Sequence, residues 1–276
     1  MKNKKIELIL RPERKYRLEN GKYYFHDIDF TDHSHKNNLI QNIQYSLKEH
    51  GGFYYQLIEW FSPVLSSLKY RKMLNQLLNQ HGPEQVIVNL GSGPRYLKGR
   101  KDIINVDIFS FHEVDIISDA ANLPFKDNSV DLLINTALLE HTSEPWKIIK
   151  EMHRVLCKDG KIFCFVPFIQ PLHAAPDDFY RWTEQGIYQS FSEFDKLHVY
   201  LAGGPMSGFL WIFVEFISIL LSFGSSLLHD VFFLILMVLT SPLKLLDILM
   251  IHLPYARNIA SGFGIIAEKH NRIKTF

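Results

Sequence analysis

Two glycines and one aspartate carry the first chemical suggestion in this chain. Gly91 and Gly93 close the run Val86-Ile-Val-Asn-Leu-Gly-Ser-Gly-Pro94, and Asp107 closes Ile104-Asn-Val-Asp107. Without a Cβ, a glycine lets the backbone turn sharply and lie close to a ligand. A carboxylate at the end of the next strand can accept hydrogen bonds from both hydroxyls of a ribose. The pattern predicts an adenosine-containing ligand over the carboxyl edge of an open α/β sheet. Turn capping is the plain alternative for Asp107.

A second group of reactive side chains lies downstream, in Pro167-Phe-Ile-Gln-Pro-Leu-His173 and Pro176-Asp-Asp-Phe-Tyr-Arg-Trp182. A neutral histidine suits proton transfer near pH 7, so His173 is a candidate base with Asp178 as its orienter. His141, on an earlier loop, is a rival base. Arg181 could grip an anionic acceptor with its planar fork, and Tyr180 and Trp182 could form an apolar wall. Alternatively, Asp178 and Arg181 make a local ion pair that fixes the loop.

Both groups need a frame to hold them. After the first two strands, a third β-like run ends in Asp119-Ala120, and Leu132 to Asn135 reads as a fourth. From Glu144 to Leu156 the apolar residues Trp146, Ile149, Met152, Val155 and Leu156 share one helical stripe, with Ser143 placed to cap it. Lys161 to Val166 reads as a fifth strand and Leu197 to Leu201 as a sixth. Alternating strands and helices predict a parallel sheet covered on both faces.

On these residues the chain resembles the class I S-adenosylmethionine-dependent methyltransferases, type 11 branch. The likeness rests on Asn89-Leu-Gly-Ser-Gly-Pro94, Val106-Asp107, Asp119-Ala-Ala-Asn-Leu-Pro-Phe125, Leu139-Glu-His141 and His153-Arg-Val-Leu-Cys-Lys-Asp-Gly160, with Gly262-Phe-Gly-Ile-Ile-Ala-Glu-Lys269 as closing strand. The resemblance implies a Rossmann-like, seven-stranded, mostly parallel sheet and S-adenosyl-L-methionine as cofactor. It implies that Gly91 and Gly93 border the methionine part, that Asp107 holds the ribose, that Asp119 and Ala120 face the adenine, and that Asn135 sits near the amino-acid portion. Asn89 stands where the family usually has an acid, Pro94-Arg95 replaces a further glycine, and the short span from Gly91 to Asp107 leaves room for only a stub of helix. A nicotinamide-dependent oxidoreductase is disfavoured because the third glycine is missing. A catalytically inactive binding protein of the same fold is the other alternative.

The 30 basic and 29 acidic residues leave a formal charge of +1, so no nucleic-acid footprint is implied. Cys157 and Cys164 read as reduced thiols in a cytosolic setting. No metal is expected: His26, His33 and His35 cluster without cysteines. The amino terminus lacks the apolar core of a signal peptide. Residues 1–85 read as an extension, with Ile6 to Leu10 and Lys22 to Phe25 as hairpin arms flanking Asn20-Gly21. Leu10-Arg-Pro-Glu-Arg14 resembles a zinc-hairpin module with arginines in place of its cysteines, which implies that the metal is lost. A helical, aromatic-rich stretch from Phe53 to Leu78 would pack as a lid.

Residues 86–207 and 256–276 form the expected methyltransferase domain, and 208–255 an insert of two apolar stretches meeting at His229-Asp230. Because the strands before and after it share one sheet, the insert must return to the side it left. A single membrane crossing is therefore excluded. Glu215, Ser218, Ser222 and Ser225 share one face of the first stretch, and Pro242, Lys244 and Asp247 interrupt the second. The reading taken is an insert that dips into one leaflet, ahead of a spanning hairpin and of a soluble core or homodimer interface. The expected protein is a methyltransferase at the cytosolic face of the membrane that meets a small, amphiphilic or lipid-linked acceptor, such as a glycan or quinone.

Overall fold

The computed structural model describes residues 2–25, 60–94, 97, 100–173 and 177–270. The histidine cluster His26, His33 and His35, Arg95, and the stretch from Phe53 to Glu59 lie outside the described residues. Nine strands form one sheet: β1 (Arg17–Glu19), β2 (Lys22–Tyr24), β3 (Ile87–Leu90), β4 (Ile104–Asp107), β5 (Ile116–Ile117), β6 (Val130–Thr136), β7 (Leu156–Pro167), β8 (His198–Gly203) and β9 (Gly262–Glu268). Their spatial order is β1-β2-β5-β4-β3-β6-β7-β9-β8. The five central strands from β5 to β7 run parallel, while β9 pairs antiparallel with both β7 and β8.

Seven strands were expected and nine are present among the described residues, because the N-terminal hairpin joins the same sheet. Asn20 and Gly21 both adopt positive φ, as a tight hairpin turn requires, and β2 pairs in parallel with β5. The expected arms were partly wrong. Lys2–Ile9 is a helix, α1, and the first arm is Arg17–Glu19. Ile6 and Ile9 point inward from α1 and join Tyr23 in the main core, so burial on one face, rather than alternation, decides this segment.

Helices cover both faces of the sheet. On one side α1 packs with α3 (Pro145–Val155), through Ile148, Ile149, Met152 and Val155, and with α4 (Glu184–Ser190), through Ile187. The other side carries α2 (Leu68–Gln80), which lays Leu77, Tyr70, Met73 and Leu74 on Ile87, Leu132, Ile134 and Phe163. The stretch expected as a lid is thus, in its described part, a covering helix that starts at the Ser67 cap. Ser143 does not cap α3. The N-cap position is Glu144, which makes no side-chain cap bond, and Pro145 supplies the preset φ of a first turn. No helix stands between β3 and β4 among the described residues.

Between β8 and β9 the chain leaves the sheet as a helical hairpin, α5 (Pro205–Ser222) and α6 (Ser226–Thr240), and returns through a 3-10 turn (Ser241–Leu246) and the short α7 (Asp247–Met250). Phe223 and Gly224, both at positive φ, make the tip. The polar residues of the hairpin face its seam: Ser218, Ser222 and Asp230 are buried, and His229 bridges Glu215 at 3.2 Å and Asp230 at 3.3 Å. Its large apolar residues face outward, with Phe216, Leu220 and Phe223 61%, 62% and 89% exposed.

The charges that break the second apolar stretch are turned into the protein body. Lys244 Nζ donates to the carbonyls of Trp60 and Ser62 at 2.9 and 2.8 Å. Asp247 caps α5: its carboxylate accepts from the Met206 amide at 2.7 Å and from the Ser207 amide and hydroxyl at 2.8 and 2.6 Å. One buried side chain therefore ties the return of the hairpin to its start. Replacing Asp247 with Ala should destabilise the fold by roughly 2 to 4 kcal/mol, since a charge-assisted bond is worth about 1.5 to 3 and orphaned donors add to the loss. Denaturant unfolding checks this; an unchanged midpoint would show that the cap does not hold the hairpin.

Candidate functional site

β3 is the strand at which the sheet reverses its winding, with β4 on one side and β6 on the other. A crevice opens beyond the carboxyl ends of strands at such a reversal. The backbone leaves β3 at Gly91, whose amide and that of Ser92 donate to Val106 O at 2.9 and 3.1 Å. Gly91 sits at φ +67°, and a Cβ there would lie 2.9 Å from Leu138 Cβ. Gly93, at φ +55°, faces open space.

Asp107 ends β4, buried, and binds this loop. Its Oδ2 accepts the Gly93 amide at 2.7 Å and its Oδ1 accepts the Phe109 amide at 3.0 Å. Burial raises its pKa above the ordinary carboxylate value, against the pull of these bonds. Each carboxylate oxygen keeps a further acceptor position, which is what two ribose hydroxyls require. Asp119 Oδ1 accepts the Ala121 amide at 2.8 Å and starts a 3-10 turn (Ala120–Asn122) beside the crevice.

The two asparagines are occupied within the sheet. Asn89 Nδ2 donates to Asn105 Oδ1 at 3.0 Å. Asn135 is wholly buried, donating to Leu90 O at 3.3 Å and accepting from the Cys164 thiol. Both amides lock neighbouring strands in register.

The second group gathers on the loops after β6 and β7. Arg181 binds Asp178 bidentately at 2.5 and 2.7 Å and also donates to Gln170 O and Pro171 O. Asp178 in turn accepts the His173 amide at 2.8 Å. Burial pushes Asp178 upward, but Arg181 and the His173 amide outweigh it and hold the carboxyl at about 2. The Arg181 fork is therefore spent on fixing this loop. Tyr180 donates its hydroxyl to Ser143 O at 3.1 Å, while Trp182 lies in the main core with its Nε1 unpartnered among the described residues.

His173 and His141 meet edge to face, ring centroids 5.4 Å apart, and His173 packs on Trp211 of α5 at 5.5 Å. The loop and the hairpin are thus in direct contact. Burial lowers the His173 pKa, so the ring is neutral at pH 7. Beneath them lies Glu140, which sequence reasoning passed over. It is fully buried, neither carboxyl oxygen has a hydrogen-bond partner among the described residues, and burial raises its pKa to about 8. A glutamate beside a histidine gives no sign of such burial, since Glu is among the most exposed residue types.

This crevice, with a buried carboxylate held to a glycine turn, lies where known sequences match. A family model described as methyltransferase domain covers residues 91–164. Over that stretch, which holds the glycine turn, Asp107 and Asp119, the chain is similar to methyltransferases. Demethylmenaquinone methyltransferase of Listeria monocytogenes serotype 4a is 33% identical over 85 residues, 30% of this chain and 35% of that protein. The chain spans about a third of the length of the curated relatives it matches. Among solved structures, Haemonchus contortus phosphoethanolamine N-methyltransferase 2 in complex with phosphomonomethylethanolamine and S-adenosylhomocysteine aligns at 14% identity and TM-score 0.45, over 82% of this chain and 59% of that one. A Methanosarcina mazei S-adenosylmethionine-dependent methyltransferase aligns at 15% identity and TM-score 0.40, over 71% of this chain and 97% of that one.

S-adenosylmethionine is the cofactor of the methyltransferase domain, and the residues present fit it through the open face of Gly93 and the spare acceptor positions of Asp107. Asp107→Asn should weaken cofactor binding by roughly 10- to 100-fold, the worth of one charge-assisted bond. Because burial raises the Asp107 pKa and the ionised form does the accepting, wild-type affinity should fall as pH drops, beginning above the ordinary value of 3.8. Calorimetry across pH checks both points; a pH-independent wild type that matches Asp107→Asn would contradict them.

Proposed function

We propose that the protein transfers the methyl group of S-adenosylmethionine to an amphiphilic acceptor met at the cytosolic face of a membrane. The observation that carries the first half is the Asp107 carboxylate closed onto the Gly93 amide at 2.7 Å. The cofactor supplies an electrophilic methyl. What remains for the protein is to align a nucleophile and exclude water, and orientation alone supplies roughly 7 to 11 kcal/mol of such a barrier.

Gly91, Gly93 and Asp107 hold the cofactor, with Asp119 and Ala120 toward the adenine and Asn89 and Asn135 steadying the strands below. The acceptor is received between the loops after β6 and β7. His173, kept in place by Asp178 and Arg181, and His141 beside it are the groups suited to take an acceptor proton. Tyr180 and Trp182 stiffen that wall.

The membrane half rests on the inside-out hairpin, polar along its seam and apolar outward. By length and composition α5 and the stretch Ser226–Met250 are each apolar enough to cross a membrane. The second stretch is long enough as a continuous helix, but α5 with its 18 residues extends only about 27 Å, short of the roughly 30 Å hydrocarbon core, and Lys244 and Asp247 near the end of the second are tied to the protein body. The first turn of α5 is also buried in the protein body. A hairpin of this reach suits one leaflet. The contact of His173 with Trp211 puts the acceptor loop against its base, so an acceptor with a lipid-like part would arrive from that side. A lipid-linked glycan and a quinone both have this character.

Leu138 lying over Gly91 favours a second reading, a binding protein that keeps the fold without the reaction. Calorimetry separates them: S-adenosylmethionine and S-adenosylhomocysteine should bind and NAD should not, whereas no binding of any of the three supports the second reading. In flotation with anionic liposomes the wild type should rise with the vesicles, and a Phe216→Ser, Leu220→Ser, Phe223→Ser variant should stay behind. A wild type that remains in the soluble fraction refutes the membrane half alone.

A further inference from the structure

Glu140, His141 and His173 each present a donor atom within 4.8 Å of the other two, and Glu140 has no part in the reading above. Its two oxygens are fully buried without a hydrogen-bond partner among the described residues. A native structure that keeps a carboxyl in that condition has a use for it or holds an ion there.

The two rings are prepared as ligands. His141 Nδ1 lies 2.6 Å from the carbonyl of Asp177, and His173 Nδ1 lies 3.0 Å from that of Pro171. A carbonyl only accepts, so each Nδ1 carries the hydrogen and each Nε2 keeps a bare lone pair. Arg181 Nη2 also approaches His173 Nδ1 at 3.2 Å, but its two hydrogens are taken by shorter bonds to Pro171 O and Asp178 Oδ2. A second-shell carbonyl on the far nitrogen is the arrangement found around metal-bound histidines. His141 Nε2 stands 3.9 Å from Glu140 Oε1, about 0.5 Å wider than the roughly 3.4 Å between two tetrahedral ligands that each lie about 2.0 to 2.2 Å from zinc.

We propose that Glu140, His141 and His173 bind one divalent transition-metal ion, zinc foremost, as a two-histidine, one-carboxylate site. Two histidines and a glutamate with an open fourth position are a catalytic rather than a structural zinc set. The open position is accessible through His173, whose side chain is a quarter exposed beside Trp211. An ion there would occupy both Nε2 lone pairs, so it would replace the two rings as proton acceptors; holding an acceptor oxygen at the open position rests on the methyl-transfer reading, and the ion site itself does not. A second cluster, Asp159, Glu268 and His270, is largely exposed and makes the natural control.

The full chain, stripped with chelator, is titrated with zinc by calorimetry and with cobalt by visible absorption. One zinc per chain and a tetrahedral or five-coordinate cobalt spectrum are expected. Glu140→Gln and His173→Gln should each weaken zinc binding by more than about 100-fold, because even outer-shell changes cost 10- to 100-fold. His270→Ala should leave binding unchanged. S-adenosylmethionine binding and circular dichroism report whether each variant is folded, and the glutamine at position 140 keeps the shape of the neutral carboxyl. A stripped wild type that takes up no zinc, zinc binding unchanged in both site variants, or binding lost only in His270→Ala overturns the proposal. Zinc binding by a wild type that ignores S-adenosylmethionine leaves the ion site standing and removes the methyl-transfer reading.

Discussion

The reversal of winding at β3 is the constraint on which the rest of the molecule depends. Because β4 and β6 lie on opposite sides of that strand, their connections diverge above it and leave a crevice that the parallel sheet cannot fill. The glycine turn exists because the chain must bend away at once from this edge. Asp107 then closes the turn from the neighbouring strand, so one carboxylate both stabilises the loop and presents the acceptor positions a ribose needs. Its burial beneath the turn raises its pKa.

A second constraint is carried by Asp247. The helical hairpin leaves and rejoins the sheet between adjacent strands, and its return segment caps its own first helix. A hairpin fastened at its base can project an apolar surface without loosening the domain. The same base places Trp211 on His173, so an apolar appendage and the loop after β7 share a wall. The Asp178–Arg181 pair contributes by holding that loop rather than by reaching outward.

Much of the sheet was legible in the sequence because each central strand is a short apolar run bounded by turn residues. Ile87–Leu90, Ile104–Asp107 and Gly262–Glu268 fall where those signals put them. The N-terminal segment was harder. Lys2–Ile9 carries Ile6 and Ile9 at helical spacing but is too short and too charged to declare itself, and its helicity follows from docking on the core. The site was legible in its glycines and Asp107, whose types are dictated by backbone conformation and strand position. Tertiary partners decided the remainder. Asn89 and Asn135 pair within the sheet, Arg181 is consumed by its own loop, and Glu140 is buried by contacts no local pattern records. The interruptions Lys244 and Asp247 likewise read as breaks in an apolar stretch until their carbonyl, amide and hydroxyl partners are seen.

The central claim is that adenosine of the cofactor sits in the crevice between β3 and β4. Ultraviolet cross-linking of radiolabelled S-adenosylmethionine to the whole protein, followed by peptide mapping, tests it most directly. The label should fall on peptides that contain Gly91 to Asp107 or Asp119 to Asn122 and should be displaced by S-adenosylhomocysteine. Label confined to the hairpin or to the amino-terminal segment, or label that S-adenosylhomocysteine does not displace, would contradict the account.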